Sequence, residues 1–428
     1  MKAEADGGDL SIGIPLLAGN GDCGAAEPTH QRRSHHSISG STSFFKTCFN
    51  GLNALSGVGI LSVPYAVCSG GWLSLMLLFL IAGCTFYTSL LIQRCMDLDT
   101  NIRSYPDIGE RAFGTKGRVV VSVAMNVELY LVATGFLILE GDNLHNLYPD
   151  IGGVVIGGKQ CFILIIGLIV LPTVWLDNMS ILSYISATGV VSSFILVCSI
   201  FWAAVFDGIG FREKGILLNY RGLPTAISLY AFCYCAHPVF PTLYTSMRDQ
   251  KKFSKVMLVC FVVCTMTYAS VAIMGYLMFG AKVDSQVTLN LPINRISSKV
   301  AIYTTLVNPL AKYALMVTPI LNGLERRLLL RWPNRWVSML IRTVLVVSTI
   351  VVALSVPFFA YLMSLVGAFL SVTASIIVPC LCYMKISGIY LQRFGVELLF
   401  LFGIVFIGAV VLVVGTYTAL LEIFHHLI

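Results

Sequence analysis

Asn50-Gly-Leu-Asn-Ala-Leu-Ser-Gly-Val-Gly-Ile-Leu-Ser-Val-Pro-Tyr65 puts Gly51, Gly57, Gly59 and Pro64 inside one apolar stretch long enough to be a membrane span. A bilayer offers no water to stray N–H and C=O groups. A span so rich in helix breakers therefore survives only if it is buried in protein or lines a cavity. Unwinding around Gly57-Val58-Gly59 would aim free amides at a ligand, as discontinuous helices do at midplane substrate sites in secondary transporters. Small residues at this spacing also serve plain helix packing. Both readings stay open on this segment alone.

Composition sets the class around it. The chain is 57% hydrophobic and 11% charged, with a mean hydropathy of +0.84, which no soluble domain of this length matches. Residues 1–43 differ: they are polar, with Arg32-Arg33 and no apolar core of a signal peptide, and read as a disordered cytoplasmic tail. Pro15-Leu16-Leu17 near Asp9 is a faint dileucine sorting signal, though a Leu pair in a tail is usually incidental. The net charge of +7 fits basic loops at a membrane surface and says nothing for nucleic acid. The 13 cysteines lie mostly inside apolar stretches. Cys233-Tyr-Cys235 and Cys380-Leu-Cys382 lack the spacing of zinc sites, so neither a disulfide framework, a metal nor another cofactor is expected.

A hydrocarbon core needs about 20 apolar residues per helix. Eleven stretches qualify, at 44–68, 72–95, 117–141, 161–176, 180–206, 223–245, 254–279, 298–323, 336–355, 357–384 and 394–424. The ninth and tenth are split at Ser355-Val-Pro357, where proline marks a turn. With the N-terminus inside, inner segments hold 19 of the 28 Lys and Arg, outer loops hold 7, and Lys312 and Arg342 fall within spans. That asymmetry favours a cytosolic N-terminus. An odd span count then puts His425-His426 on the far, lumenal side, and the sequon Asn178-Met-Ser180 faces the cytosol.

Five spans after the first broken helix comes a second, Ile227-Ser-Leu-Tyr-Ala-Phe-Cys-Tyr-Cys-Ala-His-Pro-Val-Phe-Pro241, interrupted at His237-Pro238 and Pro241. Matched interruptions in two halves point to an inverted repeat. Residues 44–206 form the first five-helix repeat, 223–384 the second, and 394–424 an added C-terminal helix.

These residues resemble a family. Ser43-Phe-Phe-Lys-Thr47, Asn53-Ala-Leu-Ser-Gly-Val-Gly-Ile-Leu-Ser-Val-Pro-Tyr65, Tyr105-Pro-Asp-Ile-Gly109, Gly141-Asp-Asn-Leu144, Ala236-His-Pro-Val-Phe-Pro241 and Asn308-Pro-Leu-Ala-Lys-Tyr313 are similar to motifs of the amino acid/auxin permease family. The likeness is nearest to plant members of its vacuolar amino-acid transporter branch, and covers about residues 43–424. It implies an all-α membrane protein of eleven helices on the LeuT-like five-plus-five inverted repeat. It also implies proton-coupled movement of amino acids.

A zwitterionic substrate needs both donors and acceptors. Amides around Ser56, Gly57, Val58 and Gly59 can take its carboxylate, helped by the positive end of the following half-helix. Carbonyls freed near Tyr234, Cys235 and Ala236 can take its ammonium. Ser56, Tyr230 and Tyr234 are candidate side-chain liners, although each hydroxyl can instead bond within its own helix.

Ionisable groups inside a membrane are costly and are functional candidates by default. Lys312, mid-span eight, can stand in for a coupling cation or exchange a proton as access alternates. Glu128, mid-span three, and His237, at the break in span six, are the other proton-coupling candidates. The plainer reading pairs Lys312 permanently with Glu128 or with carbonyls freed near the helix breaks. Glu140 is expected to reach the interface, and Asp142, Asp177 and Glu325 to act as caps or gate salt bridges.

No Walker loop, arginine ladder or filter loop is present, which weighs against an ATP-driven pump and a voltage-gated channel. The expectation is a proton-coupled amino-acid transporter of the vacuolar or another endomembrane, and not an enzyme. Its partners are the amino acid, protons and the bilayer. Sodium-coupled uptake at the plasma membrane, with a cation between the first and eighth spans, is the runner-up. An amino-acid sensor without net transport is the alternative from another class.

Overall fold

Ser43 caps the first helix, its hydroxyl accepting from Lys46 N–H at 3.4 Å, and α1 runs Phe44–Leu55. Regular bonding then fails. Ser56 N–H still reaches Leu52 O, but Gly57 N–H turns back to Leu55 O at 2.8 Å. The helix resumes as α2, Gly59–Gly70, bent by 50°. The first span is therefore discontinuous where its glycines require it.

The computed structural model describes residues 42–151, 154–155, 158–175, 179–329, 334–389 and 395–427. The tail motifs, Asp177 and Asn178 of the sequon lie outside them. The chain continues as α3 (Ser74–Leu98), α4 (Tyr105–Leu147), a two-strand hairpin of β1 (Asp150–Ile151) and β2 (Val154–Val155), α5 (Lys159–Trp175) and α6 (Met179–Val205). The second discontinuous span is α7 (Leu223–Cys233) followed by α8 (Phe240–Ser246). Then come α9 (Phe253–Phe279), α10 (Ile296–Leu329), α11 (Arg335–Ser355), α12 (Phe359–Leu365), α13 (Val378–Ser387) and α14 (Val396–Leu427). Between α12 and α13 the backbone winds into π-helical turns over Val366–Ser371 and Thr373–Ile377.

Among the described residues eight helices are long and apolar enough to cross a membrane, and nine if the bent α1–α2 pair counts as one. Lys159–Trp175 and Gly189–Val205 are apolar but shorter. The expected count of eleven thus meets nine that pass on length and composition. The third expected span, 117–141, is part of a longer helix. Its first turns form an arm that ends where Gly114, at φ 67°, leaves helical geometry, and its last turn reaches Leu147. The arm is pinned by Ser104 N–H donating to Asp107 at 2.8 Å and by the Tyr105 hydroxyl donating to Ala374 O.

Polarity is inverted relative to a water-soluble bundle. Ser62, Thr88, His237 and Ser371 are fully buried, while Phe194, Val262, Phe406 and Val413 are exposed. Lipid is the solvent such a surface needs. α10 packs on α6 and α4, α2 on α7 and α9, and α14 along α7 and α12. The Pro64 ring of α2 meets Gly275, where an added Cβ would stand 2.7 Å away.

The two ends of the bundle are fastened by backbone. At one, here the near end, Thr42 N–H donates to Ser246 O and Arg248 N–H to Thr42 O, both at 3.0 Å, a parallel bridge between Thr42 and Met247. At the far end Trp72 and Leu73 N–H donate to Ile216 and Leu217 carbonyls at 3.1 and 2.9 Å, and Trp72 Nε1 donates to Lys214 O at 2.8 Å.

Candidate functional site

Both helix breaks meet in the middle of the bundle. Gly59, which opens α2, lies on Cys233, which ends α7: a Cβ on Gly59 would stand 2.8 Å from Cys233 Sγ and 3.2 Å from its Cα. Tyr268 of α9 ties the breaks together, its hydroxyl donating to Leu55 O at 2.5 Å and lying 3.2 Å from Cys233 O. Nothing in the sequence marks Tyr268 except that a buried phenol must find a partner.

The first break is filled by a charge. Lys312 of α10 is 6% exposed. Its ammonium donates to the carbonyls of Asn53 at 3.1 Å and Ser56 at 2.9 Å, which the unwinding frees. The hydroxyls of Ser56 and Ser193 share a 2.6 Å hydrogen bond, and Ser193 also donates to Gly189 O at 3.0 Å. Beside them a narrow cavity, about 280 Å³ of empty space including its mouth, is lined by Gly57 and Val58, by Ser192 and Ser193 of α6, and by Thr305 and Asn308 of α10. A Cβ on Gly57 would meet nothing nearer than Leu55 O at 4.0 Å. Gly57 faces space, whereas Gly59 faces a helix.

The second break is filled by neutral groups. Ala236 N–H turns back to Tyr234 O at 2.9 Å, and a single tight turn, His237–Val239, leads into α8. His237 is fully buried, with Nε2 2.9 Å from Thr88 Oγ1 and 3.1 Å from Thr85 O. Thr88 spends its own proton on Ser375 O at 2.6 Å, so the Nε2 position carries the hydrogen and donates. Tyr230 and Tyr234 turn their hydroxyls onto Ser74 (3.1 Å) and Thr265 (2.9 Å). Glu128 of α4, 4% exposed, accepts from Ser371 Oγ at 2.7 Å, and Ser371 also lies against the Cys235 thiol.

The expected liners therefore separate. Gly57 and Val58 share the cavity, and Ser56 is joined to its wall through Ser193. Gly59 is packed away, and Tyr230, Tyr234, Cys235 and Ala236 lie at the second break outside the cavity. Lys312 takes freed carbonyls and makes no ion pair with Glu128 among the described residues, so the second of its two plainer pairings is the one formed. Asp142 and Glu325 form span-end salt bridges, with Lys159 at 3.4 Å and Arg342 at 2.8 Å. Glu140 corrects the expectation: it is 1% exposed rather than interfacial. α4 continues well beyond 141, so Glu140 lies nearly two turns inside its end.

The signature described as "Transmembrane amino acid transporter protein" matches residues 40–421. The chain belongs to that family. Three Arabidopsis thaliana members show the likeness. Amino acid transporter AVT1J is 60% identical over 391 residues, covering 90% of this chain and 92% of its own. AVT1I is 57% identical (90% and 96% covered), and AVT1C 45% (90% and 71%). The fold is LeuT-like. MhsT in complex with L-phenylalanine aligns at TM-score 0.58 and 11% identity, over 89% of this chain and 99% of its own. A Na+-coupled sialic acid symporter aligns at 0.52 and 12%, over 88% and 89%. At such identities the likeness is one of fold alone. Family membership makes the protein an integral membrane transporter and not an enzyme.

Proposed function

We propose that the protein is a proton-coupled secondary transporter that moves amino acids across the vacuolar or another endomembrane by alternating access. The observation that carries this reading is the Lys312 ammonium seated on the Asn53 and Ser56 carbonyls, between the first and eighth spans. A fixed cation occupies the acceptors that a mobile monovalent ion would need, which disfavours sodium coupling there. The relatives' common description as amino acid transporters supports the substrate class.

In this reading the substrate carboxylate takes the amides around Ser56, Gly57, Val58 and Gly59, beside the positive end of α2, and the Ser56 and Gly57 N–H groups give up Leu52 O and Leu55 O to do so. Its ammonium takes carbonyls near Tyr234, Cys235 and Ala236, with Tyr230 and Tyr234 behind them. Lys312 is the first candidate for the group through which a proton acts, with Glu128 and His237 the alternatives. The repeats 44–206 and 223–384 rock against one another, with 394–424 outside them. The near end, where Thr42 stands, faces the cytosol because basic loops gather there, and the C-terminus faces the lumen.

The test is uptake of a mixture of labelled amino acids into proteoliposomes under an imposed pH gradient, with and without sodium. Accumulation that follows the proton gradient and ignores sodium is the expected outcome. Accumulation only with a sodium gradient would replace the reading, and binding without flux would make the protein a sensor.

A further inference from the structure

The membrane-spanning part of α4 carries three carboxylic acids, and two of them are satisfied. Glu128 accepts from Ser371 at 2.7 Å. Asp142 pairs with Lys159 at 3.4 Å and accepts from Gln286 Nε2 at 3.1 Å. Glu140 has neither. It is 1% exposed, and its carboxyl oxygens lie beside the Leu310 backbone of α10 without completing a hydrogen bond.

Most charged and titratable groups on the elements around α4 are engaged elsewhere or lie at the ends of the bundle, and His145 Nδ1 has no hydrogen-bond partner among the described residues. Lys312 holds the Asn53 and Ser56 carbonyls. Lys159 holds Asp142 and donates to Pro357 O at 2.7 Å. Arg342 holds Glu325 and donates to Val174 O at 2.9 Å. Lys299 and Tyr303 stand with Tyr148 at the far end, and His145 of α4 itself lies by Phe162. Tyr313 bonds Thr349, Tyr361 bonds His426, and His237 bonds Thr88. Tyr383 lies under Arg94 at the near end, where Asp97 accepts from Tyr244 and where α13 places Lys385.

Among the described residues this carboxyl has no cation and no completed hydrogen bond, the Leu310 backbone being its one near donor, and a carboxylate so placed is among the costliest groups a fold can hold. The neutral acid is the form this packing accommodates. To ionise, Glu140 needs water between α4 and α10. Leu310, the residue it touches, stands two positions before Lys312 and two after Asn308 of the cavity wall, so opening that seam moves the helix that carries both.

We propose that Glu140 is a proton-binding site distinct from Lys312: it holds a proton while α4 and α10 are packed together and releases it to the far side when water parts them. Protonation thus stabilises the packed state, and raising far-side pH favours the parted one. The inference deepens the transport reading through its kinetic arm, while its chemical arm is independent of transport.

The chemical arm treats the full-length protein in liposomes with the hydrophobic reagent dicyclohexylcarbodiimide, which adds to protonated carboxyls in apolar surroundings, and locates the adduct by mass spectrometry. Adduct at Glu140 at acidic pH, lost at alkaline far-side pH, is expected. No adduct at acidic pH, with Glu128 labelled in the same sample, overturns the proposal. The kinetic arm is amino-acid exchange by Glu140→Gln, which keeps the shape and removes the titration. Where one group titrates, rate can change by about tenfold per pH unit; the variant is expected to flatten the far-side pH dependence to within about twofold. An unchanged pH profile overturns the proposal. If Gln fails to fold, Glu140→Leu decides: a neutral acid tolerates the apolar side chain and expression persists, whereas loss of expression in both variants means a charged Glu140 with a partner and sinks the idea. Adduct formation without any pH-driven flux would leave Glu140 a protonation site and remove the transport reading instead.

Discussion

At the break between α1 and α2 a charge closes the gap, while at the break between α7 and α8 hydroxyls and an imidazole N–H do. Lys312 reaches Asn53 O and Ser56 O from another helix. His237 instead leans on Thr88 and Thr85 of α3. Tyr268 serves both sides with one hydroxyl. Two interruptions with one origin, a run of residues that cannot continue a helix, thus answer to different conditions. The first depends on an ammonium being present, and the second on neutral groups staying in register. At the first, loss of the Lys312 charge would weaken what holds the Asn53 and Ser56 carbonyls.

The sharpest way to break that contrast is Lys312→Ala. It strands two buried carbonyls and removes hydrogen bonds of the charged kind, a loss of about 2–5 kcal/mol. Accumulation driven by a pH gradient should vanish, read in proteoliposomes, while counterflow exchange survives better. Lys312→Met keeps most of the stem and separates packing from charge. Because no ion pair joins Lys312 to Glu128 here, adding Glu128→Gln should give stability effects that sum to within about 0.5 kcal/mol. Recovery of expression in the double variant would show that the two charges meet in another conformation.

A smaller effect distinguishes two glycines of the same motif. Gly59→Val drives a branched side chain into Cys233, where even a Cβ stands 2.8 Å away. It should cost about 1–3 kcal/mol or more through overpacking and lower expression. Gly57→Val enters open space, so the protein should express normally yet lose transport, because the cavity is filled. Equal expression of the two variants would mean that the breaks do not touch.

The smallest effect sharpens the second break. Tyr268→Phe removes one hydroxyl from two carbonyls and should cost about 1–2 kcal/mol, lowering both thermal stability and substrate affinity. Thr88→Val leaves the His237 N–H only Thr85 O as its partner and should cost about 1 kcal/mol while leaving the pH dependence of uptake in place. A shifted pH profile in Thr88→Val would give His237 the proton role instead of Lys312.

The breaks were legible in the sequence because glycine and proline act locally, weakening the helix at Gly57-Val58-Gly59 and at His237-Pro238, although Pro309 and Pro319 stay inside α10. What each break faces was not. Gly57 and Gly59 are the same residue two positions apart, and only the crossing of α7 decides that one lines space and the other packs. Glu140 stands at the very end of the apolar stretch 117–141, which makes it look interfacial, whereas α4 runs to Leu147. Six further residues add about 9 Å of helix. Tyr268 gave no signal, since an isolated phenol in an apolar span says nothing of which carbonyls it will meet. That Lys312 would find carbonyls rather than Glu128 also lay beyond sequence, because both were acceptors at the right depth.

The backbone bridge at Thr42 has a practical side. The first described residue after the tail is hydrogen-bonded to Ser246 and Arg248, at the exit of the second discontinuous span. A fluorescent protein, affinity tag or tether fused shortly before residue 42 therefore loads the near-end clasp directly with its bulk or tension. The same cargo attached after α14, a helix with much of its apolar face exposed, loads a peripheral strut. Reporter position is then itself a mechanical variable: amino-terminal fusions should slow the transport cycle as their linkers shorten, and carboxy-terminal ones should report abundance without touching rate.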